Sequence, residues 1–137
     1  MTEKRKNTLK KWITVLLSLA ALLAVIYAFQ IPSLVSSAFC AAAEEEYRAG
    51  DGGSGRTKLR LAVALSPSDD TLRLRAAQAI LAGGNRDEAM EFLESAVQDL
   101  PESVCLHQML ISCITEKNGP EAALEYIREI PSQDVRS

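Results

Sequence analysis

AAQAILAGGNRDEAMEFLESAVQDLP, Ala76 to Pro101, is the stretch that decides the fold. In its second half Ala89, Leu93, Ala96, Val97 and Leu100 fall at i, i+4, i+7, i+8 and i+11, an apolar stripe on one face of a helix. Asn85 with Glu88 three residues later has the form of a capping box at the start of that helix. Ala77 and Ile80 belong to a preceding helix. Small residues at 77, 89 and 96 let two helix axes approach closely, while Leu93 and Ile80 fill the space between neighbouring layers.

Moving outward, the same residue types recur at a fixed interval. Pro67 and Pro101 are 34 apart, as are Ala62 and Ala96, Gly50 and Gly84, and Ala43 and Ala77. This register divides the chain beyond residue 35 into units 36–69, 70–103 and 104–137. In the last unit Leu106, Met109, Leu110, Cys113 and Ile114 form a further helical stripe, and Pro120 suits the first turn of the helix after it. The expected fold class is all-α.

On these residues the chain resembles the tetratricopeptide repeat family, whose unit is a pair of antiparallel helices of 34 residues. In the middle unit Ala77, Ile80, Gly84, Ala89, Leu93, Ala96 and Pro101 stand at the family's positions, with Gly84 as the inter-helix turn and Arg73 where the family carries tryptophan. The first unit keeps Ala43, Gly50, Leu59, Ala62 and Pro67, with Gly55 in place of the second-helix alanine. The third keeps Leu110, Ile114, Ala123, Ile127 and Ile130, and its turn glycine, Gly119, comes one place late. The resemblance implies a short solenoid of helical hairpins over residues 36–137.

Gly50 to Thr57, GDGGSGRT, matches a phosphate-loop template if Arg56 stands for the usual lysine. That motif needs a strand feeding the loop, and AAAEEEYRA before it is made of helix formers. In the repeat register Gly50-Asp51 is instead an inter-helix turn. The glycines predict a loosened segment that delays the second helix to about Arg56, making the first unit the most flexible. No nucleotide is expected.

At the N-terminus Lys4, Arg5, Lys6, Lys10 and Lys11 form a basic tail, 1–11. Trp12 to Phe29 then carries no charge and no proline, and with Gln30 and Ile31 it gives a transmembrane helix over 12–31. Trp12 and Tyr27 suit anchors at the two interfaces, and Pro32 opens a hinge over 32–35. A cleaved signal peptide stays open as an alternative, because Ser36-Ser37-Ala38 and Ala41-Ala42-Ala43 are cleavage-like; the length of the run favours an anchor. A lipoprotein signal ending at Cys40 does not fit, because Phe39 stands where a small residue is needed.

Five basic residues against Glu3 give residues 1–35 a net +4, and ten basic against seventeen acidic leave −7 on residues 36–137. The tail is therefore expected in the cytoplasm and the body outside it. The alanine-rich, arginine-containing composition points to a bacterium and hence to the periplasmic side of the inner membrane. An acidic body is a poor binder of nucleic acid.

Catalytic chemistry is sparse. Cys40, Cys105 and Cys113 are too few for a zinc site or disulfide framework and are expected as buried thiols. His107 is the only histidine, which excludes histidine triads, and is expected as a packing residue. Glu44-Glu45-Glu46 and Asp69-Asp70 suit a solvated face or a cap. No catalytic residue, metal or cofactor is expected.

What the family offers is binding. The resemblance implies a concave protein-binding surface presenting Glu44, Tyr47 and Arg48 from the first unit, Leu74, Gln78 and Leu81 from the second, and Gln108, Ser112 and Thr115 from the third. Family members that clamp a terminal carboxylate carry lysine and asparagine where Leu74 and Gln78 stand, so that mode is not expected. Leu124 and Tyr126 are expected exposed on the last helix, as a contact for a partner or second copy. The reading is a membrane-anchored scaffold that holds a protein or membrane complex and meets the bilayer through 12–31. Two alternatives are an accessory subunit held through its transmembrane helix and a cleaved, soluble periplasmic binding module.

Overall fold

The structure, a computed structural model, describes residues 2–130, so Met1 of the basic tail and residues 131–137 of the third unit lie outside the described residues. Six helices and no strand occur among them: α1 (Thr2–Ala49), α2 (Gly52–Leu65), α3 (Asp70–Ala82), α4 (Arg86–Asp99), α5 (Val104–Asn118) and α6 (Pro120–Glu129). The chain forms two compact units, 1–34 and 35–137.

The first unit is the N-terminal part of α1. Its apolar run is long and apolar enough to cross a membrane, and none of that run is buried by other parts of the protein. Trp12, Leu17, Tyr27 and Phe29 are all exposed. Residues 32–35, expected as a hinge, lie within α1, with Pro32 inside the helix.

In the second unit, helices joined by turns of one to four residues pack as neighbours: α3 on α4, α4 on α5 and α5 on α6, with α3 also touching α5. Gly50, Gly84 and Gly119 close α1, α3 and α5 with φ of 88°, 82° and 91°, a left-handed backbone that only glycine adopts without strain. The helices that follow begin within three residues. Asp51 caps α2, its carboxylate accepting from Ser54 N at 3.0 Å, and Asp69 caps α3 by accepting from Leu72 N at 3.0 Å. Pro120 occupies the first turn of α6.

The core falls in two clusters. One joins Cys40, Ala43 and Tyr47 of α1 to Leu59 and Ala62 of α2, with Ala76, Ile80 and Ala89 from the next pair. The other joins Ala77, Leu93 and Ala96 to Leu106, Leu110, Cys113 and Ala123. α3 and α4 contribute to both. Burial follows the 34-residue interval: Ala43 and Ala77 are both buried, as are Gly55, Ala89 and Ala123, Leu59 and Leu93, Ala62 and Ala96, Ala76 and Leu110, and Ile80 and Ile114.

A buried polar contact repeats at the same interval. Arg73 Nη2 donates to the Pro67 carbonyl at 2.8 Å, while 34 residues on His107 Nε2 donates to the Pro101 carbonyl at 2.8 Å. Since that carbonyl only accepts, Nε2 carries a proton, and the neutral ring takes the Tyr126 hydroxyl on Nδ1 at 2.7 Å. Arg73 is held from its other side by Asp99 at 2.8 Å. Thus the place of the expected tryptophan carries a donor that ties each helix pair to the turn before it.

Three expectations are corrected here. GDGGSG is not a loosened turn, because α2 begins at Gly52 and runs for 14 residues. The reason is Tyr47: its ring lies where a Cβ on Gly55 would come within 2.7 Å, so bare glycine lets the ring seat against α2. Asn85 precedes α4 without a side-chain capping bond, and Glu88 turns to Tyr47 and Arg56 instead. Among the cysteines, all unpaired, Cys40 and Cys113 are buried and their thiols are pushed up by that burial, whereas Cys105 is exposed.

Candidate protein-binding surface

α1 and α3 together build a shallow groove of about 400 Å³ lined by Glu44, Arg48, Arg75, Gln78, Ala79 and Ala82. Arg75, Gln78, Ala79 and Ala82 recur at i, i+3, i+4 and i+7, so one face of α3 supplies them. Ala79 and Ala82 keep the floor low. Arg75 Nε donates to Glu44 Oε1 at 2.6 Å and its Nη1 reaches Ser37 Oγ at 3.3 Å; the carboxylate holds the guanidinium charged more firmly still. Arg48 and Gln78 are exposed, leaving a cation and an amide free to meet a partner at the rim.

Of the residues expected on this surface, Glu44, Arg48 and Gln78 come together. Leu81 lines a separate depression with Gly84, Arg86 and Glu116, where Arg86 pairs with Glu116 at 2.8 Å. Leu74 is half-buried against the second core cluster. Gln108, Ser112 and Thr115 are exposed along one face of α5 and line neither depression. Arg75 was missed, though its place one turn before Gln78 could have revealed it.

Tyr47 departs from the expectation. It is 3% exposed and packs in the first core cluster, its aromatic ring seated between Gly55 and Gly83. It borders a different groove, of about 360 Å³, between α2 and α4 with Arg56, Leu59, Ile80, Glu88 and Phe92. There Glu88 Oε1 accepts from both the Tyr47 hydroxyl and Arg56 Nε, each at 2.8 Å. Arg56 holds the Glu88 carboxyl below its ordinary 4.5, while burial and the bond to Glu88 push the Tyr47 phenol up. A depressed carboxyl stabilises the fold fully above its unfolded value and loses that contribution as pH falls through the lower folded value. Stability should therefore drop as pH is taken below about 4.5. In Glu88→Gln that acid loss should shrink, as urea titrations at a series of pH values will measure.

On the last helix Leu124 is exposed, as expected. Tyr126 is only half-exposed, because its hydroxyl is engaged by His107. Glu44 and Glu46 of the acidic run are paired, with Arg75 and Lys58 respectively, leaving Glu45 in solvent. In GDGGSGRT, Gly50 ends one helix and Gly52 begins the next, with Arg56 engaged by Glu88, so no strand-fed phosphate cradle exists there. No cluster of three or more histidine, cysteine or carboxylate side chains suited to a metal occurs among the described residues. No protein-family model matches the chain, and comparison with curated proteins and with solved structures likewise gives no match.

Proposed function

We propose that the chain is a single-pass membrane scaffold, in which a short tetratricopeptide-like domain holds a protein partner beside the bilayer. The observation that carries the domain reading is the recurrence of burial, turn glycines and a buried donor to the preceding turn at an interval of 34 residues, or 35 for the last glycine. Stacked helical hairpins offer a continuous surface for partners. The α1–α3 groove, with Arg48 and Gln78 at its rim, is where binding is centred, and exposed Leu124 on α6 is a second contact. The anchor reading rests on an apolar helix left uncovered on all sides, which water does not tolerate and lipid does. Basic residues before the run and the acidic body after it orient the domain to the extracytoplasmic side, the periplasm in a bacterium.

Affinity purification of the full-length protein, tagged at its C-terminus, from detergent-solubilised native membranes tests this. A stoichiometric partner, with Met1 or Thr2 still on the intact protein, supports the scaffold, provided Arg48→Ala with Gln78→Ala weakens recovery by about ten-fold or more. Recovery that survives those changes but fails on substitution of Ala20, Ala21 and Ala24 favours the accessory subunit, for which the uncovered apolar helix is the specific support. A protein truncated near residue 38 or 43 and recovered alone leaves a cleaved, soluble module.

A further inference from the structure

Residues 4–11 hold five cations, Lys4, Arg5, Lys6, Lys10 and Lys11, and no acid. All lie in α1 and all are exposed. At about 100° per residue, Lys4 and Lys11 fall close together on the helical wheel, while Arg5, Lys6 and Lys10 spread over the rest. They make a collar about 10 Å deep, not a stripe. None of these cations is neutralised within the chain, because the ion pairs of the described residues all join groups between Glu44 and Lys117. Lys6 and Lys10, four apart, repel each other. The collar also occupies the first turns of a helix, the end whose dipole disfavours cations.

So much uncompensated charge around a helix calls for anions on every side at one level. The next residue, Trp12, begins the apolar run, which puts that level where phospholipid phosphates lie if α1 enters a bilayer. A linear polyanion would meet only one side of the collar, whereas headgroups surround it. We propose that Lys4, Arg5, Lys6, Lys10 and Lys11 bind anionic phospholipid headgroups, enriching them in the lipid shell around α1. The inference rests on the reading of α1 as a membrane span.

Trp12 is the only tryptophan of the chain, so its fluorescence reports on the lipid beside the collar. The full-length protein is reconstituted in phosphatidylcholine vesicles containing phosphatidylglycerol, with bromine quencher placed on one lipid or the other at equal mole fraction. Brominated phosphatidylglycerol should quench as if enriched about five-fold, the weight of one cation near an anionic surface. That preference should fall toward unity at high salt and in the variant Lys4→Gln, Arg5→Gln, Lys6→Gln, Lys10→Gln, Lys11→Gln. Quenching of the variant by brominated phosphatidylcholine checks that it still inserts, and Lys10→Gln with Lys11→Gln alone should give a partial loss. Equal quenching by both lipids, or a preference unchanged in the variants, overturns the collar. Quenching by neither lipid overturns the membrane span and the collar with it.

Discussion

Replacing Leu93 by alanine should lower the unfolding free energy of the helical domain by about 3 kcal/mol, within the 2–5 kcal/mol that buried leucines lose. Leu93 is 0% exposed and packs in the second core cluster between Ala77 and Ala96 on one hand and the α5 residues Leu106 and Leu110 on the other. Truncation removes its transfer free energy and leaves a hole that short alanines nearby cannot fill. Leu124→Ala, on the exposed face of α6, should change stability by no more than about 0.5 kcal/mol. Urea titration of the full-length protein in mild detergent, followed by far-UV circular dichroism, measures both. Equal losses for the two leucines would show that Leu93 is not at a packed centre.

Tyr47→Ala is the second large effect, at about 3–4 kcal/mol. Its ring is enclosed by Gly55 and Gly83, and its hydroxyl is one of two donors to Glu88. The sharper measurement is a cycle with Gly55. In a helix, alanine is ordinarily better than glycine by about 1 kcal/mol. Here a Cβ at position 55 meets two Tyr47 ring carbons at 2.7 Å, so Gly55→Ala should destabilise by about 1–2 kcal/mol, as overpacking does. With Tyr47 already truncated the obstruction is gone. The same Gly55→Ala change should then stabilise, and a change of sign between the two backgrounds is the expected result. Destabilisation of equal size in both would mean that the glycine serves its own backbone and not the ring.

The helices were legible where their signals were local. Ala89, Leu93 and Ala96, and Leu106, Leu110 and Cys113, declared their buried faces through spacing alone, and the 34-residue interval located the turn glycines. What escaped was decided at long range. GDGGSG reads as loose because glycine is a poor helix former, yet Tyr47, eight residues away and on another helix, turns Gly55 into a close-packed position. Glu88 has the right spacing from Asn85 for a capping box, but it is claimed by Tyr47 and Arg56 from 41 and 32 residues upstream. At the candidate site, carrying over family positions found Glu44, Arg48 and Gln78 but passed over Arg75, whose place follows from plain helical geometry on α3. It also placed Tyr47 on the wrong surface, since an aromatic ring beside two glycines has more to gain from burial than from display.

α3 and α4 give side chains to both core clusters, and this sets how the domain comes apart. Ala76, Ile80 and Ala89 serve one cluster while Ala77, Leu93 and Ala96 serve the other, so neither outer helix pair can detach without stripping apolar surface from the central pair. A hairpin left with one flank wet has lost about half of what holds it. Melting is therefore a single concerted event across the body, and a lesion at either extremity is felt as a loss of the whole and not as a frayed end.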